Sequence, residues 1–293
     1  NNEPHPFPKA TPPAMLGEGR QALSYIARNY WNRFIDSSKV YSQDTSLIGG
    51  VAKEDFMNAC QEYITILSNI PLKEGIAAQT NFASRLVSLE RENPENTLFD
   101  LSVEFNEEVI YGVNSDYRNE ELYLPVATIL SQAEFLDSTL RKKYAEQARM
   151  CSLNRIGTQA ADFKYTYKSG KVSSLYNTPG EYTVIFFSNP GCTSCKEIID
   201  VMSHSPIIGY MIEQGRLKVI NIYIDEDLAQ WYKYMPIYPK EWINVYNADL
   251  QIKNTPLYDI RAIPTLYLLD KEKRVILKDA PLQILLNALN NTN

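Results

Sequence analysis

Tyr182-Thr183-Val184-Ile185-Phe186-Phe187-Ser188-Asn189-Pro190-Gly191-Cys192-Thr193-Ser194-Cys195 is the stretch that decides how this chain is read. Its first six residues are a continuous β-prone run, and such runs fit a central strand buried on both faces. Pro190 and Gly191 then shape a turn that exposes Cys192. From Cys192 to Met202 the spacing turns helical, with Ile198, Ile199 and Met202 apolar. The cysteine pair therefore sits where a strand ends and a helix begins. A helix N-terminus carries roughly half a positive charge and leaves N–H groups unpaired, and both stabilise a thiolate. The thiolate is the attacking species in disulfide exchange, so Cys192 reads as the nucleophile. Cys195, one turn inside the helix, is placed to resolve a mixed disulfide by attacking Cys192.

A structural zinc half-site is the first competing reading of the pair. Tetrahedral zinc wants four ligands, usually two such pairs. The other cysteines, Cys60 and Cys151, lie on helical apolar stripes, and the histidines are His5, near the start, and His204, past the motif. No metal and no cofactor are expected. The same residues would also serve as an inert structural disulfide. Peroxidase chemistry of the peroxiredoxin kind needs Thr or Ser three residues before the reactive cysteine, and Asn189 stands there.

Outward from the motif, the C-terminal half alternates strands and helices. Ala161 to Tyr167 alternates like a strand, and Ser169-Gly170-Lys171 marks a turn. Leu217 to Ile224 and Thr265 to Leu269 are further buried-type strands. The second is joined through Asp270–Lys273 to a strand at Arg274 to Leu277, and Leu282 to Leu289 closes the chain as an amphipathic helix. Arg261-Ala262-Ile263-Pro264-Thr265 leads into one of these strands, and a proline without a ladder donor belongs at a strand start. This order gives an α/β sandwich.

Before Asn154 the pattern is all-α, with about five or six helices. Leu23, Ile26, Ala27, Tyr30 and Phe34 share one helix face. Phe56, Cys60, Tyr63 and Leu67 repeat that spacing, and Pro71 stops the helix. Phe82, Leu86 and Leu89 follow, then Leu98, Leu101, Phe105 and Val109, ended by Gly112. Pro125 implies that its helix is short or begins there. Leu136, Leu140, Tyr144, Ala148 and Cys151 mark the last helix. Cys60 and Cys151 are expected to be buried, with a disulfide between them as the alternative.

The chain has 293 residues, 44% of them apolar, which is enough for two cores. Its 20 Tyr read as packing residues of the helices. A net charge of −6 with no long basic run argues against nucleic acid as a partner. No apolar run approaches the roughly 18 residues of a membrane span. The start, Asn1 to Pro13, holds five prolines and reads as an extended tether behind a removed leader, so export is the expectation. The expected organisation is a tether over 1–18, an all-α helical domain over 19–152 and an α/β domain over 153–293, with an insertion at about 232–258.

These residues carry a resemblance to thioredoxin, and more closely to the TlpA/ResA-like exported thiol–disulfide oxidoreductases. Asn154-Arg155-Ile156-Gly157 with Ala161-Asp162-Phe163 resembles the entry segment of that group. Phe186 to Cys195 resembles its strand and active-site turn, and Ile263-Pro264-Thr265-Leu266 its cis-proline loop. Met235 to Ala262, with Trp242, resembles the insertion that precedes that loop. The resemblance implies a thioredoxin fold with Cys192 and Cys195 as the catalytic pair. It also implies a cis Ile263–Pro264 bond, and a substrate-binding rim formed by Ile263, Pro264, Thr265, Pro190 and Gly191. Asn29 to Asp36 and Tyr117 to Tyr123 resemble an N-terminal domain of unknown function fused to thioredoxin-like domains in envelope proteins of Bacteroides-type bacteria. That likeness implies a periplasmic or outer-membrane-associated lipoprotein, held peripherally at the membrane by a lipid anchor. Its partners would be protein thiols and disulfides of the envelope. Gly191 stands where thioredoxins have Trp, and Thr193-Ser194 where they have Gly-Pro. Phe186 stands where they keep a buried acid to take the resolving thiol's proton; Glu181 or a residue of the insertion is the candidate substitute. The expected function is thiol–disulfide exchange through this pair. The alternative is a non-catalytic envelope lipoprotein that uses the fold as a binding scaffold.

Overall fold

The computed structural model describes residues 3–39, 46–94 and 97–292, and the chain divides into two compact units after Cys151. Asn1 and Asn2 of the proline-rich start lie outside the described residues.

The first unit comprises α1 (Arg20–Asn29), a two-residue hairpin β1 (Leu47–Ile48) and β2 (Val51–Ala52), α2 (Lys53–Leu67), α3 (Leu72–Glu92), α4 (Thr97–Phe105), α5 (Glu120–Ser131) and α6 (Ser138–Cys151). Its core is aromatic: Trp31 stacks on Phe82 at 4.4 Å, and Tyr63 packs edge-on against both. Two expectations shift here. The face that includes Tyr30 and Phe34 outlasts its helix, because α1 ends at Asn29 and tight turns carry Trp31, Phe34 and Ile35 into the core. Pro125 lies inside α5 rather than at its start. Asn119 caps that helix by accepting the Leu122 N–H, and the burial of Leu122, Tyr123, Val126, Ala127 and Leu130 outweighs the interior proline, which costs about 3 kcal/mol. The proline-rich start is extended but attached. The His5 N–H bonds the Gly50 carbonyl at 2.8 Å, and Phe7 packs on Tyr30, Trp31 and Phe34 with centroids 5.0–5.7 Å apart. Cys60 and Cys151 are buried thiols, not a bridge.

The second unit runs β3 (Lys164–Tyr167), β4 (Val172–Ser174), β5 (Tyr182–Phe187), α7 (Thr193–Ser203), α8 (Pro206–Glu213), β6 (Leu217–Tyr223), α9 (Leu228–Tyr234), β7 (Ile243–Tyr246), α10 (Gln251–Asn254), β8 (Thr265–Leu269), β9 (Val275–Lys278) and α11 (Leu282–Asn290). The strands form one mixed sheet in the order β4-β3-β7-β6-β5-β8-β9. β5, β6 and β7 are parallel neighbours, and β8 runs antiparallel to β5. Because successive side chains alternate across a sheet, β5 feeds two cores. Val184 and Phe186 join Cys195, Met202, Leu285 and Trp231 on one face, while Ile185 and Phe187 join Phe163, Tyr258 and Tyr267 on the other. The inserted segment does more than bridge a gap, because its strand β7 takes an interior place in the sheet between β6 and β3.

Candidate active site

β5 delivers the chain to the cysteine turn. Its last residue, Phe187, pairs with Thr265 at the start of β8, so the cysteine turn and the proline loop emerge from adjacent strands. Gly191 sits at φ +74°, a left-handed conformation that Cβ-bearing residues enter at a cost. A side chain there would also meet α9: a Cβ would lie 3.2 Å from Gln230 Nε2 and 3.3 Å from Tyr234 Oη.

Cys192 is the N-cap of α7. Its backbone is extended, and its sulfur accepts the backbone N–H of Cys195 at 3.1 Å. This is the arrangement by which a helix start holds negative charge on a capping atom. Cys192 is half-buried, whereas Cys195 is 1% exposed, and the two sulfurs form a disulfide. The reachable sulfur is therefore that of Cys192. Thr193 and Ser194, between them, are exposed.

The Ile263–Pro264 peptide is cis. The Thr265 hydroxyl donates to the Ala262 carbonyl at 2.6 Å, and Arg261 pairs with Asp279 at 3.6 Å, which ties the loop to the end of β9. Ile263 and Cys192 pack against the same apolar cluster.

A cleft of about 350 Å³ opens beside the disulfide. One wall is α7, with Cys195 and Ile199, and the other is the insertion, with Tyr234, Ile237 and Tyr238. Of the expected rim, Gly191 lines this cleft, whereas Pro190, Ile263, Pro264 and Thr265 do not. Pro190 is buried in the turn, and the other three stand one strand over. The three insertion residues were not singled out from the sequence. The aromatic run Tyr232, Tyr234 and Tyr238 within the inserted segment is the available signal.

Beneath the turn, the buried acid of thioredoxins is replaced by neutral groups. Phe186 is fully buried and pairs with Asn221 on β6. The Ser188 hydroxyl donates to Asn221 Oδ1 at 2.5 Å, Asn221 Nδ2 donates to Asn244 Oδ1 at 3.0 Å, and Asn244 Nδ2 donates to the Pro239 carbonyl at 2.8 Å. This chain of amides links β5, β6 and β7 to the insertion. Tyr238 Oη is buried beside Ser188 at the head of this chain, and burial pushes its pKa up to about 12. Glu181 cannot substitute for the acid, because it precedes β5 at the end remote from Cys192 and pairs with Arg216 at 2.7 Å.

Residues 1–154 match a family defined by a domain of unknown function, DUF5106. A thioredoxin-like protein from Bacteroides caccae is 32% identical over 98% of this chain and 99% of its own, with a TM-score of 0.84. The C-terminal domain of an uncharacterized protein from Bacteroides fragilis is 50% identical over 47% of this chain and 98% of its own, with a TM-score of 0.46. The thioredoxin domain of a thiol-disulfide oxidoreductase from Bacteroides vulgatus is 19% identical over 47% of this chain and 97% of its own, with a TM-score of 0.42. No curated protein matches the sequence. A helical half of this kind, followed by a thioredoxin-like sheet domain closed by a Cys192–Cys195 disulfide, is a member of the DUF5106 family.

Proposed function

We propose that this protein is a thiol–disulfide oxidoreductase of the cell envelope that exchanges disulfides with protein partners through Cys192 and Cys195. The observation that carries the reading is the asymmetry of the pair. Cys192 is accessible, caps a helix and accepts an N–H bond at its sulfur, while Cys195 is buried one turn behind it. In the reducing direction, the Cys192 thiolate attacks a partner disulfide, forms a mixed disulfide and releases one partner sulfur as thiolate. Cys195 then loses its proton and attacks the Cys192 sulfur. The second partner sulfur leaves, the Cys192–Cys195 disulfide forms, and two electrons have passed to the partner. The oxidising direction is the reverse. An oxidising compartment is where disulfides persist, which supports an envelope location, and the resemblance of the helical half to envelope proteins is the support for a peripheral lipid anchor.

Phe186 favours a second reading, that of a scaffold with an idle disulfide, since no acid stands at that position to take the Cys195 proton. One experiment separates the two. Cys195→Ser, expressed in the native envelope, should accumulate mixed disulfides that vanish on reduction, and Cys192→Ser should not. Adduct-free lanes for both variants on non-reducing gels would establish the scaffold instead.

A further inference from the structure

The end of the sheet remote from the cysteines holds a cation that the exchange chemistry does not use. Lys273, in the turn between β8 and β9, adopts a left-handed backbone at φ +65°, where glycine is the usual choice. Its side chain is buried, with the residue 5% exposed. The ammonium donates to the Thr178 carbonyl at 2.7 Å and to Thr183 Oγ1 at 3.1 Å, both neutral acceptors. An ammonium has three N–H donors, so these partners leave one over. Among the described residues no carboxylate lies within 4.0 Å of it. Burial lowers the Lys273 pKa, and only Asp270 opposes the shift. Buried charges are ordinarily paired, so an unpaired one in a strained turn asks for a counter-ion.

Lys273 does not face packed protein on every side. It forms part of the wall of a cavity of about 600 Å³, with Arg216 and the exposed Lys271 on the same wall. The one carboxylate there, Glu181, is held by Arg216 at 2.7 Å and is kept well ionised by Arg216 and Lys271. Arg216 also donates to the Thr292 carbonyl at 3.5 Å, so Lys273 and the exposed Lys271 are the cations of this wall on which the argument rests. Thr183 and Phe187 lie at opposite ends of β5, so about 13 Å of strand separates this cavity from the cysteine turn.

We infer that this cavity is a binding site for a small anion bearing a phosphate or carboxylate group, seated against Lys273 with Lys271 and Arg216 at its rim. Its negative oxygens would take the remaining Lys273 N–H and face the Lys271 ammonium on the same wall.

Titration calorimetry of the full chain with inorganic phosphate and with succinate, at ionic strength held constant by sodium chloride, tests the site. Saturable binding of at least one probe in the millimolar range or tighter is expected. Phosphate alone would identify a phosphate head group, and succinate alone a dicarboxylate. Lys271→Glu, an exposed change that leaves the core untouched, should weaken binding at least tenfold. Lys273→Met should abolish it, with folding checked by retention of the Cys192–Cys195 disulfide and a cooperative melt. Absence of saturable binding by both probes overturns the inference. So does binding that Lys271→Glu leaves unchanged, which would place the anion elsewhere.

Discussion

Cys192 and Cys60 are the same functional group in opposite surroundings. At Cys192 the helix start and the Cys195 N–H both favour the charged form. The thiol of the reduced protein should therefore titrate well below the unperturbed value of about 8.5. A pH series of alkylation rates measures this, and a midpoint at or above about 8.5 would remove the nucleophile from the proposed mechanism. Cys60 lies in the aromatic core, where burial pushes its pKa up to about 12. A folded-state pKa above the unfolded one contributes stability that is complete below the unfolded value and is lost as pH rises toward the folded one. The helical unit should thus lose stability between about pH 9 and pH 12, and Cys60→Ala should flatten that alkaline limb in denaturant titrations while lowering stability at neutral pH through the cavity it leaves. An unchanged slope would mean that other groups, among them the buried tyrosines, dominate the limb. Both environments were legible early. Cys60 lay on an apolar stripe, and Cys192 followed a strand through a Pro-Gly turn, so each position announced its surroundings.

Elements with continuous or strongly periodic apolar residues were the readable ones. Tyr182–Phe187 and Thr265–Leu269 form strands with the expected bounds, because a strand buried on both faces needs no polar alternation. β7 escaped because Ile243-Asn244-Val245-Tyr246 is short and carries an amide whose partners, Asn221 on β6 and the Pro239 carbonyl, are supplied only by the fold. α8 was also missed, although Ser205 as cap and Pro206 at the first helical position are a readable start signal. The same amide ladder makes a quantitative point. Asn221→Leu keeps the approximate volume but strands the Ser188 hydroxyl and the Asn244 carbonyl oxygen, each then buried without its partner. Each stranded group costs about 1–3 kcal/mol, so urea unfolding should show a loss of that order or more. A loss below about 0.5 kcal/mol would show that the three strands and the insertion hold together by apolar packing alone. The cleft wall follows the same logic: Tyr234, Ile237 and Tyr238 reach the cysteines only because β7 anchors the insertion in the sheet, a tertiary fact that local patterning does not carry.

At the scale of the molecule, each half closes its own interior. The helical core draws its residues from 7–148, and the two sheet cores draw theirs from 156–289. The change from helical to alternating patterning near Leu153 falls beside the division after Cys151. Independent cores predict independent folding, since the apolar burial that opposes chain entropy is then complete within each half. The fragment Ser152–Asn293 should therefore express as a soluble monomer, unfold in one cooperative transition and keep the Cys192–Cys195 disulfide. Its reduced form should show the same Cys192 alkylation midpoint as the full chain, because the N–H that this sulfur accepts and the apolar cluster that Cys192 packs against both belong to the second half. Two measurements make the test decisive. A fragment that aggregates would show that the first half shields apolar surface of the second. A fragment that folds but titrates differently at Cys192 would show that the first half, whose own activity no residue pattern identified, tunes the redox site from outside it.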